Sequence, residues 1–189
     1  MLYNLSDEER QMALNEAARR QAYNEARGIA GRNGGAAKGD RALFYHKIGA
    51  AGEVAVASYL NLKNSLFQDS SPSKNSYDLP FWIDVKTRAR HDYDLIVQLD
   101  EVKPAYYWLV TIENKQVNIQ GWLDSKSCRR PGFIKDPAGG REAYFVPKRY
   151  LKAPETFWDH VFCAESRPLK GNLVDLFTEG DKSWLDMDW

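Results

Sequence analysis

Apolar and polar positions alternate along the chain with two different periods. The stretch "NLSDEERQMALNEAARRQAYNEARGIAGRNGG" is built from strong helix formers up to the glycines near Gly34, and Ser6 with Glu9 three residues on gives a capping-box start. Its apolar positions are mostly alanine with charges on several faces, which predicts an exposed helical arm. Gly31 to Ala42 reads as a flexible linker, because it is rich in glycine and lacks large apolar residues. Residues 1–42 thus form an arm and linker, and the main domain is expected from Leu43. A second helix is predicted over Lys47–Leu62, with Ala51, Val54, Ala55, Ser58 and Leu62 on one face. The turn-rich segment that follows has room for a short strand at Ser65–Gln68.

Five strand-like runs follow: "DLPFWIDVKTR", "YDLIVQL", "YYWLVTIE", "VNIQGWLD" and "AYFVP". All are rich in β-branched and aromatic residues and are separated by Asn, Lys, Gly or Pro breaks. A helix followed by a mostly antiparallel series of strands predicts an α/β domain over 43–171, with a mixed central sheet flanked by helices. Residues 172–189 form an acidic tail ending "WLDMDW". It reads either as a solubilising extension or as a ligand for a protein partner.

One strand carries charges that a core strand rarely tolerates. In "YDLPFWIDVKT" the strand period puts Asp84 and Lys86 on one face, with Ile83 and Val85 on the other. If the chain reverses through Pro80, Phe81 and Trp82, Leu79 pairs with Ile83 and Asp78 lies opposite Asp84. Directly opposed side chains have Cβ atoms about 4.5–5.5 Å apart. Carboxylates that close repel, and a hard divalent cation such as Mg²⁺ relieves the repulsion. A lysine beside them can orient a water or stabilise charge on a phosphoryl group. Glu53 adds a third carboxylate if its helix face turns towards the strand ends. Each residue also has a plainer role: Asp84 and Lys86 as an exposed pair, Glu53 as a surface helix residue, Asp78 as a turn cap.

Composition narrows the function. Lys and Arg together number 26 and so do Asp and Glu, so the net charge is zero and a polyanion would have to be gripped locally. Cys128 and Cys163 have no CxxC or zinc-type partners, which argues against a disulfide framework or structural zinc. The N-terminus lacks the order of a secretory signal, and no run approaches the ~18 apolar residues of a membrane span. A cytoplasmic protein with no membrane partner is expected. No phosphate-binding glycine loop or nucleophilic serine or cysteine motif is present.

Glu53 in "GAAGEVAVASYL", Asp78 in "SYDL" and Asp84 to Lys86 in "DVK" resemble the motif of the PD-(D/E)XK nuclease superfamily. The likeness covers roughly Phe44 to Ala153, and the order of the later strands is similar to small phage and prokaryotic members. It implies a restriction-endonuclease-like fold and hydrolysis of DNA phosphodiesters with Mg²⁺ or Mn²⁺. The implied roles are metal ligation by Asp78 and Asp84, assisted by Glu53 and the Val85 carbonyl, with Lys86 aligning the water. Tyr77 stands where the motif usually has proline. The gap of five residues between Asp78 and Asp84 is short for the family, which keeps Asp69 as the other candidate for the strand-end ligand.

DNA held at such a site needs basic neighbours. Lys47, and Arg88 and Arg90 on the Lys86 face of a continuing strand, are the candidates, with the basic loop Lys126 to Glu142 as a flap or an ordinary surface loop. His46 reads as structural rather than as a proton carrier, and His91 and His160 form no ligand pair. Trp82, Tyr106, Tyr107, Trp108 and Trp122 are expected in the core rather than stacked on bases. Cleavage of both strands calls for two sites, so a homodimer through the N-terminal arm is the natural assembly. The alternative is a nuclease-fold binding protein without turnover that acts through DNA or protein partners.

Overall fold

The computed structural model describes residues 1–28, 39–67, 77–99, 103–136 and 142–165. Most of the predicted linker, Asp69, the middle of the basic loop and the acidic tail lie outside the described residues. Leu2–Tyr3 form β1 and Asp7–Ala26 form α1. The helix starts as its sequence dictates: Ser6 Oγ accepts from the Glu9 amide at 3.2 Å, and Glu9 returns a bond to the Ser6 amide at 2.8 Å.

The predicted exposed arm is instead packed. α1 runs antiparallel to α2 (Asp40–Tyr59), and Ala13 and Ala17 are buried. Small alanine side chains hide a contact face that larger apolar residues would have announced. Ser58 donates to Glu9 at 2.6 Å near one end of the pair, and Asn24 meets His46 at 3.2 Å near the other. His46 thus links α1 to α2 through its ring. α2 begins at Asp40 rather than Lys47, because no helix breaker separates the two. In place of the predicted strand at Ser65, Lys63–Ser65 form a short 3₁₀ turn.

The predicted strands appear as β2 (Ile83–Arg88), β3 (Leu95–Gln98), β4 (Tyr106–Glu113), β5 (Gln116–Asp124) and, after a short α3 (Ser125–Cys128) and β6 (Ile134–Lys135), β7 (Ala143–Val146). The main sheet has the order β1-β5-β4-β2 and a second sheet the order β3-β7-β6. β4 and β5 are joined by Asn114 and Lys115 at φ 51° and 65°, the left-handed pair that a two-residue hairpin turn requires. The main sheet is mixed, because β2 runs parallel to β4, with Asp84 beside Tyr107 and Lys86 beside Leu109. β2 is an edge strand. From Glu155 onward the chain belongs to a separate unit, in which α4 (Phe157–Glu165) stacks Trp158 on Phe162. No described helix is long and apolar enough to cross a membrane.

The two faces of the main sheet have different covers. Tyr107 and Leu109 of β4 join Leu95, Val97 and Val146 of the second sheet in one buried cluster. Trp108 turns to the opposite face, where it packs near Tyr59 of α2. Ile83, Val85 and Thr87 share that helical face, while Asp84, Lys86 and Arg88 share the other. Gly52 brings α2 down onto β2: a Cβ there would stand 2.0 Å from Thr87 Oγ1 and 3.1 Å from both Thr87 carbons. This close approach carries the neighbouring Glu53 to the strand. Gly52→Ala is expected to destabilise the protein by about 1–3 kcal/mol, as overpacking of a filled contact does, and to lower Tm in thermal unfolding.

Candidate active site

The reversal after Asp78 forms as the sequence indicates. Leu79 bridges Ile83 in antiparallel fashion, and the amides of Asp78 and Leu79 both donate to the Ile83 carbonyl, at 3.0 and 3.2 Å. Phe81 and Trp82 make the turn at φ 60° and 57°. Bulky residues are disfavoured in this left-handed region, by roughly 1–2 kcal/mol each. The turn is held in place from outside by the Tyr106 amide, which donates to the Trp82 carbonyl at 2.9 Å.

This register sets Asp78 against the edge of β2. Its Oδ2 accepts from the Val85 amide at 2.7 Å. N–H and C=O of one strand residue point to the same side, so the Val85 carbonyl also faces the open edge where Asp78 sits. Asp78 is surrounded by protein on most sides yet keeps some exposed surface, as a group recessed in a cleft does. Burial pushes its carboxyl up, the charges of Glu53 and Asp84 push further, and the result is about 8. The Val85 amide and Lys86 offset only part of this.

Asp84 is buried too, but two lysines hold it. Lys103 Nζ lies 2.7 Å from Oδ2, and Lys86 Nζ lies 2.7 Å from Oδ1, off the direction of a proper hydrogen bond, so the second contact is chiefly an ion pair. Burial raises the Asp84 carboxyl, yet Lys86 and Lys103 outweigh it and hold the group below the usual carboxylate range. Lys103 is positioned in turn by Tyr77. Its ammonium lies 4.5 Å from the centre of the Tyr77 ring, and the Tyr77 hydroxyl donates to the Pro104 carbonyl at 2.7 Å.

Glu53 completes the acidic group from the helix side. Arg20 of α1 grips it with both terminal nitrogens, at 2.8 and 2.6 Å, while Arg20 Nε bonds Glu16 at 2.7 Å. Burial pushes the Glu53 carboxyl up, Arg20 pulls it back, and Glu16 and Asp84 add to the upward push. Glu53, Asp78 and Asp84 thus feel one another's charge, although among the described residues no three Asp, Glu, His or Cys side chains converge into a ready metal cage. The donor set is hard oxygen throughout, and among the described residues Asp78 has Lys86 acting on it only at a distance, where Asp84 and Glu53 each have a cation in contact. Oxygen-seeking divalent ions suit such a set.

The outer candidates are dispersed. Arg88 shares the Asp84 and Lys86 face, with its guanidinium 4.9 Å from the Tyr93 ring centre, and burial lowers its pKa. β2 ends at Arg88, so Arg90 is not on the strand face predicted for it; it forms a two-bond pair with Asp92 at 2.9 Å. Lys47 is exposed on α2, about 240° round the helix from Glu53, and does not share its face. Tyr107, Trp108 and Trp122 are core residues as expected, and Tyr106 packs against Trp122. Trp82 is not: the turn leaves it 52% exposed, because its alternation with Ile83 breaks at the left-handed backbone.

Two groups at the site escape sequence reasoning. Lys103 belongs to no motif spacing, and Arg20 lies 33 residues before Glu53; the only local signal is the Glu16/Arg20 spacing of four on a helix. No protein-family model matches the chain, and neither a curated protein nor a solved structure matches it significantly.

The Asp78 carboxyl gives a pH signature. The unfolded chain releases this proton near pH 4, at about the ordinary aspartate value, whereas the folded chain keeps it to about 8. Folding takes up a proton across that window, so metal-free stability falls as pH rises through it and levels off above. Asp78→Asn keeps an oxygen for the Val85 amide. It is expected to flatten the slope and raise Tm at about pH 9 by roughly 2–4 °C per kcal/mol gained, read by thermal unfolding in EDTA at several pH values.

Proposed function

We propose that this protein is a divalent-metal-dependent deoxyribonuclease with a restriction-endonuclease-like core. One observation carries the reading: the hairpin at Leu79 and Ile83 puts Asp78 at the β2 edge beside Val85, while Asp84 on the adjoining face of the same strand is held by Lys86 of that strand and by Lys103 of a neighbouring loop. The resemblance of Glu53, Asp78 and Asp84-x-Lys86 to the PD-(D/E)XK motif supports it from the sequence. Asp78, Asp84 and the Val85 carbonyl would hold Mg²⁺ or Mn²⁺, with Glu53 joining when Arg20 lets go. The cation would supply positive charge to acidify a water and to neutralise a phosphate oxygen.

The chain's own groups divide the remaining work. Lys86, fixed against Asp84, is placed to hold the attacking water by a hydrogen bond. Lys103, on the other Asp84 oxygen, is placed to stabilise negative charge that grows on the phosphoryl oxygens. Tyr77 holds Lys103 in that position. A second reading, a nuclease-fold binding protein without turnover, draws on Arg20, whose fork already takes both oxygens of Glu53.

The test is cleavage of linear, circular, single-stranded and branched DNA with Mg²⁺ or Mn²⁺. Asp84→Asn and Lys86→Ala are each expected to lower the rate about 100-fold or more, and EDTA to abolish it. Unchanged cleavage in either variant would place the chemistry elsewhere. A wild type that cuts none of these substrates favours the binding reading.

A further inference from the structure

We propose that the Phe81–Trp82 turn is a stacking platform for a nucleobase of the DNA strand whose phosphate lies at Asp78 and Asp84; the inference rests on the nuclease reading and names the form in which that site takes its substrate. Phe81 and Trp82 are 42% and 52% exposed, although Tyr107 and Trp108 of β4 and Trp122 of β5 are fully buried. Both residues sit in left-handed backbone, at φ 60° and 57°, where Gly or Asn would fit without strain. Strained backbone of this kind concentrates at functional sites. The strain leaves Trp82 with about half of its surface in solvent, far more than the strand aromatics Tyr107, Trp108 and Trp122.

Position gives the turn its ligand. It is the direct link between the two acidic residues: Asp78 lies three residues before Phe81, and Asp84 two residues after Trp82. The turn therefore lies directly beside the two carboxylates along the chain. The turn's frame is fixed by the Leu79–Ile83 bridge and by the Tyr106 amide on the Trp82 carbonyl, so the rings are presented from a rigid base. Lys86 and Lys103 supply positive charge on the adjoining strand face and loop. Aromatic rings next to cations suit a nucleotide, which offers a π-face and a phosphate together. Only an unpaired base exposes that face, so the preferred substrate is single-stranded or has a frayed end.

The experiment uses the full chain and single-stranded oligonucleotides carrying 2-aminopurine at successive positions, in Ca²⁺, with Mg²⁺ cleavage read in parallel. Trp82→Asn is the main variant, because asparagine relieves the left-handed strain and keeps the chain foldable. Its Tm should rise while its affinity for the oligonucleotide falls about 5- to 100-fold, the range for loss of one base–aromatic stack. Wild type should quench 2-aminopurine at one position. Trp82→Phe should keep most of the affinity and quenching, and Trp82→Asn should lose both.

Unchanged affinity and quenching in a Trp82→Asn protein that still cleaves overturns the platform and leaves the nuclease reading standing. A lowered Tm for Trp82→Asn overturns it as well, since the ring would then be serving the fold. Binding through Trp82 in a wild type that never cleaves supports the platform and overturns the nuclease reading. A wild type that neither binds nor cleaves overturns both.

Discussion

Three carboxylates within electrostatic reach of one another, in a poorly solvated part of a fold, cannot all remain charged without cations beside them. The packing around β2 answers this constraint group by group. Asp84 has Lys86 and Lys103, and Glu53 has the fork of Arg20. Asp78 has the Val85 amide and the more distant charge of Lys86, and its carboxyl is pushed up to about 8, while burial also leaves Glu53 raised despite Arg20. The acidic cluster is thus unevenly compensated: Asp84 is held below the usual carboxylate range, while Asp78 and Glu53 are both pushed above it.

The scaffold that enforces this crowding is simple. Gly52 lets the second helix lie directly on Thr87, which brings Glu53 to the strand from the helical side. A three-residue reversal brings Asp78 back along the same strand, and a tyrosine fixes the loop that carries Lys103. α1 contributes the guanidinium from outside this frame. Its alignment with α2 is fixed by polar contacts along the pair, Glu9 with Ser58 and Asn24 with His46, so Arg20 reaches Glu53 with little freedom of approach. The basic groups that neutralise the acids in the protein alone are of the type that would meet a phosphate. On the proposed reading, compensation and substrate binding would therefore draw on the same side chains.

Much of this was legible in the residue order, because it depends on local periodicity. The β2 to β5 strands, the Asp84/Lys86 face and the reversal that pairs Leu79 with Ile83 follow from alternation and from the turn composition around Pro80. What was not legible depends on contacts distant in sequence. The alanine face of α1 carries no hydrophobic signal strong enough to reveal its burial, so it looked like a free arm. Arg20 and Lys103 are ordinary surface residues until the fold closes. Trp82 misled for a different reason: aromatic residues beside a strand are usually core, and only the left-handed backbone at the turn puts this one in solvent.

The return of the chain past Asp78 also bears on how the protein behaves in crowded solution. β2 is the last strand of its sheet, and a bare edge offers unpaired amides and carbonyls to any foreign strand. Here the Asp78 and Leu79 amides take the Ile83 carbonyl, and the Asp78 carboxylate takes the Val85 amide. The acidic residue that crowds the site is thus also a stopper on the sheet's open margin. The hydrogen bonds it takes up and the kinked turn beside it oppose addition of a second chain there by β-augmentation, so the residue most crowded by its acidic neighbours also guards the edge of the sheet.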